Sequence, residues 1–212
     1  MIYYRISSNL SVHEPPKFKG DKFRIVKTCL KSFQETSPQG PIHFILDYCT
    51  TEYLDLVKQY FPEFTHEFSQ YGNYNSCLKT YNLAREATDK YLFFIEDDYL
   101  WKQDAFAKMM EALRGGLNLI SPYDHPDFYE NRGAHPGPFD IVWKGHHWRT
   151  AHSNTMTFAC TRKVFEDNLS IFNEHGPNDS YLWHAIPEKM WCPIPSLATH
   201  FTKDYLSKGW II

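Results

Sequence analysis

The segment KYLFFIEDDY, residues 90–99, is the strongest strand signal in the chain, and it ends in a run of three acids. A compact apolar run of this length suits a strand buried on both faces of a sheet. Upstream of it, YGNYN opens a helix that runs through Leu78, Tyr81 and Ala84 to about Thr88. Before that helix, Phe64 to Phe68 reads as a strand, and Leu54, Val57 and Phe61 recur at helical spacing. IHFILDY, residues 42–48, is another apolar strand, with SPQGP as punctuation ahead of it. From Asp21 to Thr36 the apolar positions Phe23, Val26, Leu30 and Phe33 fall three or four residues apart, which predicts an amphipathic helix with Asp21 as N-cap. Ile2 to Ile6 is β-prone. The order is strand, helix, strand, helix, strand, helix, strand. Such alternation predicts a doubly wound, largely parallel sheet whose ligands lie at the carboxyl ends of its strands.

Beyond the acids the character changes. A helix is expected over about Asp104 to Leu113 and a strand at LNLIS, residues 117–121. Residues 121–140, SPYDHPDFYENRGAHPGPFD, are rich in Pro, Gly, His and Asp and read as a long loop, a feature that is often functional in a compact domain. WKGHHWRT (143–150) and NTMTFAC (154–160) read as short strands, and RKVFEDNLSIF (162–172) as a helix. Residues 176–210 return from helix to strand to an irregular tail. No repeat, low-complexity tract or dividing linker is visible, so residues 1–212 read as one domain.

Composition narrows the function classes. A chain of 212 residues can bury one sizeable α/β core, and its hydrophobic share of 42% against 22% charged residues excludes wholesale disorder. The aromatic share of 17% is high. Flat rings suit sugar and nucleobase surfaces, and equally a core built from large side chains. A net charge of −3 without a basic block argues against a nucleic-acid polymer as partner. The five cysteines, Cys29, Cys49, Cys77, Cys160 and Cys192, are scattered and form no CxxC pair, so they read as free thiols. The N-terminus lacks the layout of a signal peptide, and no apolar run approaches the roughly 18–20 residues that cross a bilayer. The expectation is a cytoplasmic protein with no transmembrane segment, with peripheral membrane contact left open.

The acids carry the chemistry. Alternation along a strand sends Glu96 and Asp98 to one side and Asp97 to the other. Two carboxylates together at a strand end suit a hard divalent cation such as Mg²⁺ or Mn²⁺, which prefers oxygen ligands. Three acids can also simply mark where a strand meets solvent.

An apolar strand followed by EDD resembles the DxD-type motif of glycosyltransferases with the nucleotide-sugar-binding GT-A fold, the family-two-like group in particular. Glu96 stands where many members have Asp, which shifts the carboxylate by one methylene. As an order of elements the resemblance covers roughly Ile2 to Trp210, and it is most specific at Glu96 to Asp98. It implies an α/β fold class, a single-domain GT-A (Rossmann-like) α/β/α sandwich with a mostly parallel central sheet. About residues 1–100 would form the nucleotide-binding half and about 101–212 the acceptor-binding half. The resemblance further implies a Mn²⁺ or Mg²⁺ cofactor, a nucleotide-sugar donor with a UDP-sugar favoured, and a carbohydrate or glycolipid acceptor. Asp98 would bind the metal directly with Glu96 beside it, while Glu96 or Asp97 would reach the ribose or a metal-bound water.

Other positions follow from the same resemblance. Asp47, ending IHFILDY, falls where this fold places an acid against the nucleoside, and it reads equally as a turn or cap residue. Tyr4 or Arg5, in YYRIS, would meet the base. Asn75 and Ser76, with Gly72 and Asn73, open a helix near the diphosphate, where backbone N–H groups suit an anion, and each also reads as an N-cap. Asp179, in GPNDSYLW, falls where the family carries its general base, a role that contributes roughly 10²–10⁴-fold, and where a helix could be capped. His200, in PSLATHFTKDYLSKGW, would reach back to the metal or diphosphate, with Lys203 and Lys208 available to the leaving group. The acceptor side is expected between Pro122 and Ser153, where Trp143, His146, His147, Trp148 and Arg149 concentrate; each taken singly is more simply a packing residue.

Two other classes share some of these features. A sugar nucleotidyltransferase would want a Gly-rich phosphate loop after the first strand, and SSNLSVHEPP has none; the GxGxxG and GxxxxGK[ST] motifs are also absent. A non-catalytic carbohydrate- or nucleotide-binding module could keep the acids and aromatics but would have no need of Asp179.

Overall fold

Helix and strand alternate through the first half as the periodicity predicts. The computed structural model describes residues 1–10, 14–130 and 136–211. It runs β1 (Ile2–Ser7), α1 (Lys22–Glu35), β2 (Ile42–Asp47), α2 (Thr51–Tyr60), β3 (Thr65–Ser69), α3 (Gly72–Glu86) and β4 (Tyr91–Glu96). Asp21 caps α1, its carboxylate accepting from Arg24 N at 3.0 Å, which satisfies one of the otherwise unpaired N–H groups of the first turn.

The second half comprises β5 (Tyr99–Trp101), α4 (Ala105–Arg114), β6 (Leu119–Ile120), α5 (Asp127–Glu130), β7 (Pro136–Trp143), β8 (His146–Ala151), β9 (Phe158–Thr161), α6 (Arg162–Asp167), α7 (Leu169–His175), α8 (Asp179–Ala185), β10 (Met190–Ile194) and β11 (Ala198–His200). Three expectations are corrected here. Residues 121–140 are not one loop, since α5 and the start of β7 occupy part of them. WKGHHWRT is not one strand but a turn between two: Lys144 and Gly145 both have positive φ (48° and 78°), the two-residue hairpin pattern whose twist matches its strands. RKVFEDNLSIF breaks at Asn168, whose φ of −117° departs from helix and whose side chain turns back to Val164 O at 2.8 Å. Residues 131–135 of the expected loop, and 11–13 of the polar stretch after β1, lie outside the described residues.

The main sheet has the order β3-β2-β1-β4-β9-β6-β10-β8-β7. Pair by pair, only β9 and β8 run against the rest, so seven of the nine strands share one direction. This is an α/β fold with a large, mostly parallel sheet and helices on its faces. A small antiparallel pair, β5 with β11, stands apart from it.

Strand alternation divides the core in two. Ile2, Tyr4 and Ile6 of β1 and Phe93 and Ile95 of β4 pack with α1, α2 and α4. Tyr3, Leu92 and Phe94 pack on the other face with α3, α6, α7 and α8. The chain adds β2 and β3 on one side of β1 and then returns to lay β4 on the other. That reversal opens a crevice at the carboxyl ends of β1 and β4, where α/β sheets hold their ligands.

Candidate active site

Glu96 and Arg5 face each other across that crevice because the parallel register pairs them. They project to the α3 face, opposite Tyr4. The Arg5 guanidinium donates to Glu96 Oε1 (2.9 Å), to Asn73 Oδ1 (2.9 Å) and to Ser76 Oγ (3.3 Å), tying the ends of both strands to the first turn of α3. Arg5, Ser7, Lys22, Asp47, Asn73, Ser76 and the three acids line one cleft of about 300 Å³. Burial pushes the Glu96 carboxyl up to about 7 against the pull of Arg5.

Asp97 has a structural role. Its Oδ1 accepts from Lys22 Nζ at 2.7 Å and its Oδ2 from Ser7 N at 2.8 Å, so each oxygen is already engaged. The pair is buried, with side-chain exposures of 9% and 8%. Burial works against the Lys22 charge, yet Asp97 and then Asp98 hold its ammonium well above the usual lysine range. Asp97 lines the cleft, and its carboxylate locks the end of β1 and the start of α1 to the turn after β4. Breaking a buried pair from one side leaves a charge without compensation, at about 3–5 kcal/mol. Lys22→Met should therefore lower the unfolding free energy by about that amount in urea titration, and Lys22→Met/Asp97→Asn should regain much of it. A single variant as stable as wild type would remove this lock.

Asp98 has a buried oxygen left open. Its Oδ2 meets His200 Nε2 at 2.9 Å, whereas its Oδ1 is buried without a hydrogen-bond partner. Burial alone would raise this carboxyl; His200 against it, with Lys22 nearby, holds it down at about 2. His200 arrives through the β5–β11 register, which sets it opposite Tyr99, and Phe201 N donates to Asp98 O at 2.6 Å. The imidazole stacks on Tyr99 (centroids 5.0 Å apart, 9° between planes), with the Tyr205 ring centroid at 6.2 Å. Burial lowers its basicity, and Asp98 raises it above the usual range.

An orphaned buried carboxylate oxygen beside an imidazole nitrogen is a donor set that fits a divalent cation. The set is incomplete: among the described residues no group of three His, Cys, Asp or Glu side chains is arranged to hold a metal ion. Glu96 faces the same cleft and is paired through Oε1 with Arg5.

The remaining positions divide. Asp47 is buried in the cleft wall, its Oδ1 accepting from Ser69 Oγ (2.8 Å) and Tyr71 N (2.7 Å). Ser76 is buried and lines the cleft; Asn75 is exposed, bonded to Tyr71 O at 3.2 Å, and does not line it. Tyr4 cannot stack on a base, because its ring is fully buried against Phe33 and Phe44; one step of strand alternation gives Arg5 to the cleft and Tyr4 to the core. Asp179 opens α8 without capping it: its Oδ1 accepts only from the next residue, Ser180 N, at 2.6 Å. Burial raises its carboxyl, opposed by that N–H and by the charge of His200. Trp148 is a core residue and Arg149 is paired with buried Asp124, so neither is free for an acceptor.

Comparison with known proteins bears on the fold. No protein-family model matches the sequence, and no curated protein matches it significantly. Solved structures do. The mannosyltransferase PcManGT from Pyrobaculum calidifontis, in complex with GDP-Man and Mn²⁺, superposes with a TM-score of 0.53 at 14% identity, over 89% of this chain and 53% of its own. S. aureus TarS 1–349 gives 0.52 at 10% identity, over 90% and 57%. The glycosyltransferase GlyE of Streptococcus pneumoniae TIGR4 gives 0.51 at 10% identity, over 90% and 44%. The fold is GT-A. The bifunctional IspDF from Campylobacter jejuni matches equally well, with a TM-score of 0.51 at 12% identity over 90% of this chain and 48% of its own. This chain spans about half the length of these GT-A-like neighbours, and at such identities they single out no family within the fold, family-two-like or other. Among the described residues no helix is long and apolar enough to cross a membrane.

Proposed function

We propose that this chain is a metal-dependent glycosyltransferase that moves a sugar from a nucleotide-sugar donor, a UDP-sugar first, to a hydroxyl of a carbohydrate or glycolipid acceptor. The observation that carries this reading is the unpaired Oδ1 of Asp98 beside His200, just beyond the carboxyl end of β4 in a GT-A fold. Asp98 and His200 would hold Mn²⁺ or Mg²⁺, which when bound neutralises charge developing on a departing diphosphate. Arg5 and the first turn of α3, with Asn73 and Ser76, border the same cleft and suit anionic oxygens. Asp47 accepts from the nucleoside. Asp179 takes the proton of the acceptor hydroxyl as that oxygen attacks, which gives inversion at the anomeric carbon. Residues 1–100 form the donor half and 101–212 the acceptor half in this reading.

The fold alone does not choose the reaction, since IspDF shares it. The residues favour sugar transfer. A sugar nucleotidyltransferase needs a glycine-rich phosphate loop after β1, and the first glycine of this chain is Gly20, beyond the SSNL that follows.

A thermal-shift series with UDP, GDP and other nucleoside diphosphates, each with and without Mn²⁺, tests the proposal. We expect one nucleotide to raise the Tm by several degrees only with manganese present, about what 100-fold saturation gives. No shift with any of them would leave a non-catalytic or structural module as the better account.

A further inference from the structure

β7 does not run evenly beside β8. Pro136 pairs with Ala151 and Asp140 with Arg149, so β7 takes four steps where its neighbour takes two. The excess bulges at residues 137–139 and is held by Thr150, which is buried. A Cβ on Gly137 would lie 2.2 Å from Thr150 Oγ1, so any side chain there would push the threonine away. Thr150 Oγ1 in turn accepts from Phe139 N and donates to Phe139 O, each at 3.2 Å. Bulges re-aim side chains. This one delivers Phe139, 49% exposed, to the wall of a cavity of about 290 Å³ between the open end of the hairpin and the close of α8.

The cavity is separate from the cleft. It opens where β8 ends at Ala151 and β10 begins at Met190, whereas the cleft lies at the carboxyl ends of the parallel strands. Phe139, Trp183 and Ile186 give it apolar walls, and Glu188, Lys189 and His184 are among its polar groups. Trp183 keeps its indole N–H buried with no hydrogen-bond partner among the described residues, and Lys189 Nζ lies 3.9 Å from the centroid of the Phe139 ring. The opposite charges of Glu188 and Lys189 leave no net charge to select an ion. Aromatic side chains for C–H faces, with a carboxylate and an ammonium for hydroxyls, suit a neutral sugar ring. The volume lies at the lower end of the roughly 300–1,000 Å³ of ligand pockets, a size for one such ring. α8 joins this place to the proposed base, since Asp179 opens the helix and Trp183 and His184 near its end line the cavity. A helix of that length spans about 10 Å. Building on the glycosyltransferase reading above, we propose that the cavity holds a sugar unit of the acceptor removed from the one that reacts, so that the acceptor is a neutral oligosaccharide.

The test is saturation-transfer NMR titration of the methyl glycopyranosides of glucose, galactose, mannose and N-acetylglucosamine, and of their homo-oligosaccharides, into wild type, Phe139→Tyr, Phe139→Ala and Asp179→Asn without nucleotide. Contact with one aromatic ring is worth roughly 2- to 12-fold in affinity. We expect wild type, Phe139→Tyr and Asp179→Asn to bind one of these sugars alike, and Phe139→Ala to bind it weaker by that factor. In transfer assays Phe139→Ala should raise KM for the oligosaccharide by the same factor, with kcat and the KM of the monosaccharide unchanged. Wild type binding none of these sugars, or Phe139→Ala binding as tightly as wild type, would overturn the cavity as a sugar site. An equal rise in KM for the monosaccharide would overturn its place away from the reacting unit. A sugar held through Phe139 but receiving no transfer would keep the carbohydrate site and remove the glycosyltransferase reading on which its acceptor role rests.

Discussion

Asp98→Ala should abolish Mn²⁺-dependent binding of a nucleoside diphosphate, with affinity falling at least about 100-fold in calorimetry, a loss of the size expected when a charged ligand to a bound cation is deleted. The expectation rests on what each acid in the EDD run is already doing. Glu96 is held through Oε1 by Arg5 and Asp97 through both oxygens by Lys22 and Ser7, whereas Asp98 keeps a buried oxygen with no hydrogen-bond partner among the described residues. The fold should survive the change. The backbone bond from Phe201 N to Asp98 O, which fixes β11 against this turn, does not involve the side chain, and the side chain bonds to His200. Asp97→Ala makes the contrast: it strands the Lys22 ammonium in the interior and should cost stability first. A variant of Asp98 that binds UDP or GDP with Mn²⁺ as tightly as wild type would take the metal assignment with it.

The features legible in the sequence are the local ones. Apolar runs alternating with helical spacing give the order β1 to β4 with α1 to α3 between them, because each signal comes from a segment that must bury its own face. The EDD run at a strand end was legible for the same reason. Pairings across the chain were not. Lys22 follows an N-cap and reads as a helix-surface lysine; nothing nearby says that its partner lies 75 residues on. The alternation argument also divided the acids too simply: it holds for Glu96, the last residue of β4, but the chain turns immediately afterwards, so Asp97 and Asp98 line the cleft together with it. Tyr4 shows the opposite failure, since one residue of register separates a cleft side chain from a core side chain and the sequence YYRIS does not fix which is which. His200 was located by resemblance, yet its contact with Asp98 depends on the β5–β11 register, a non-local pairing of two three-residue strands.

Asp179→Asn should leave nucleotide binding as it is and lower sugar transfer by roughly 10²–10⁴-fold, the usual contribution of a general base. The position of the residue is well determined by packing. Tyr81 Oη donates to Gly176 O at 3.4 Å, and the Tyr74 ring lies where a side chain at Gly176 would have to go, so the turn that leads into α8 is held against α3. The carboxylate at the head of α8 thereby has a defined place, and it feels the charge of His200. The pH dependence follows with a definite sign. A general base acts deprotonated, so transfer falls as pH drops through its pKa, and because burial raises that pKa the acid limb should lie above the range of an ordinary aspartate. In the asparagine variant the residual rate should lose that limb, since no proton then competes for the site. Full activity in Asp179→Asn would remove it as the base. A loss of nucleotide affinity in parallel with the loss of rate would move Asp179 to the donor side of the reaction, because a group that acts only on the acceptor proton contributes nothing to holding the diphosphate.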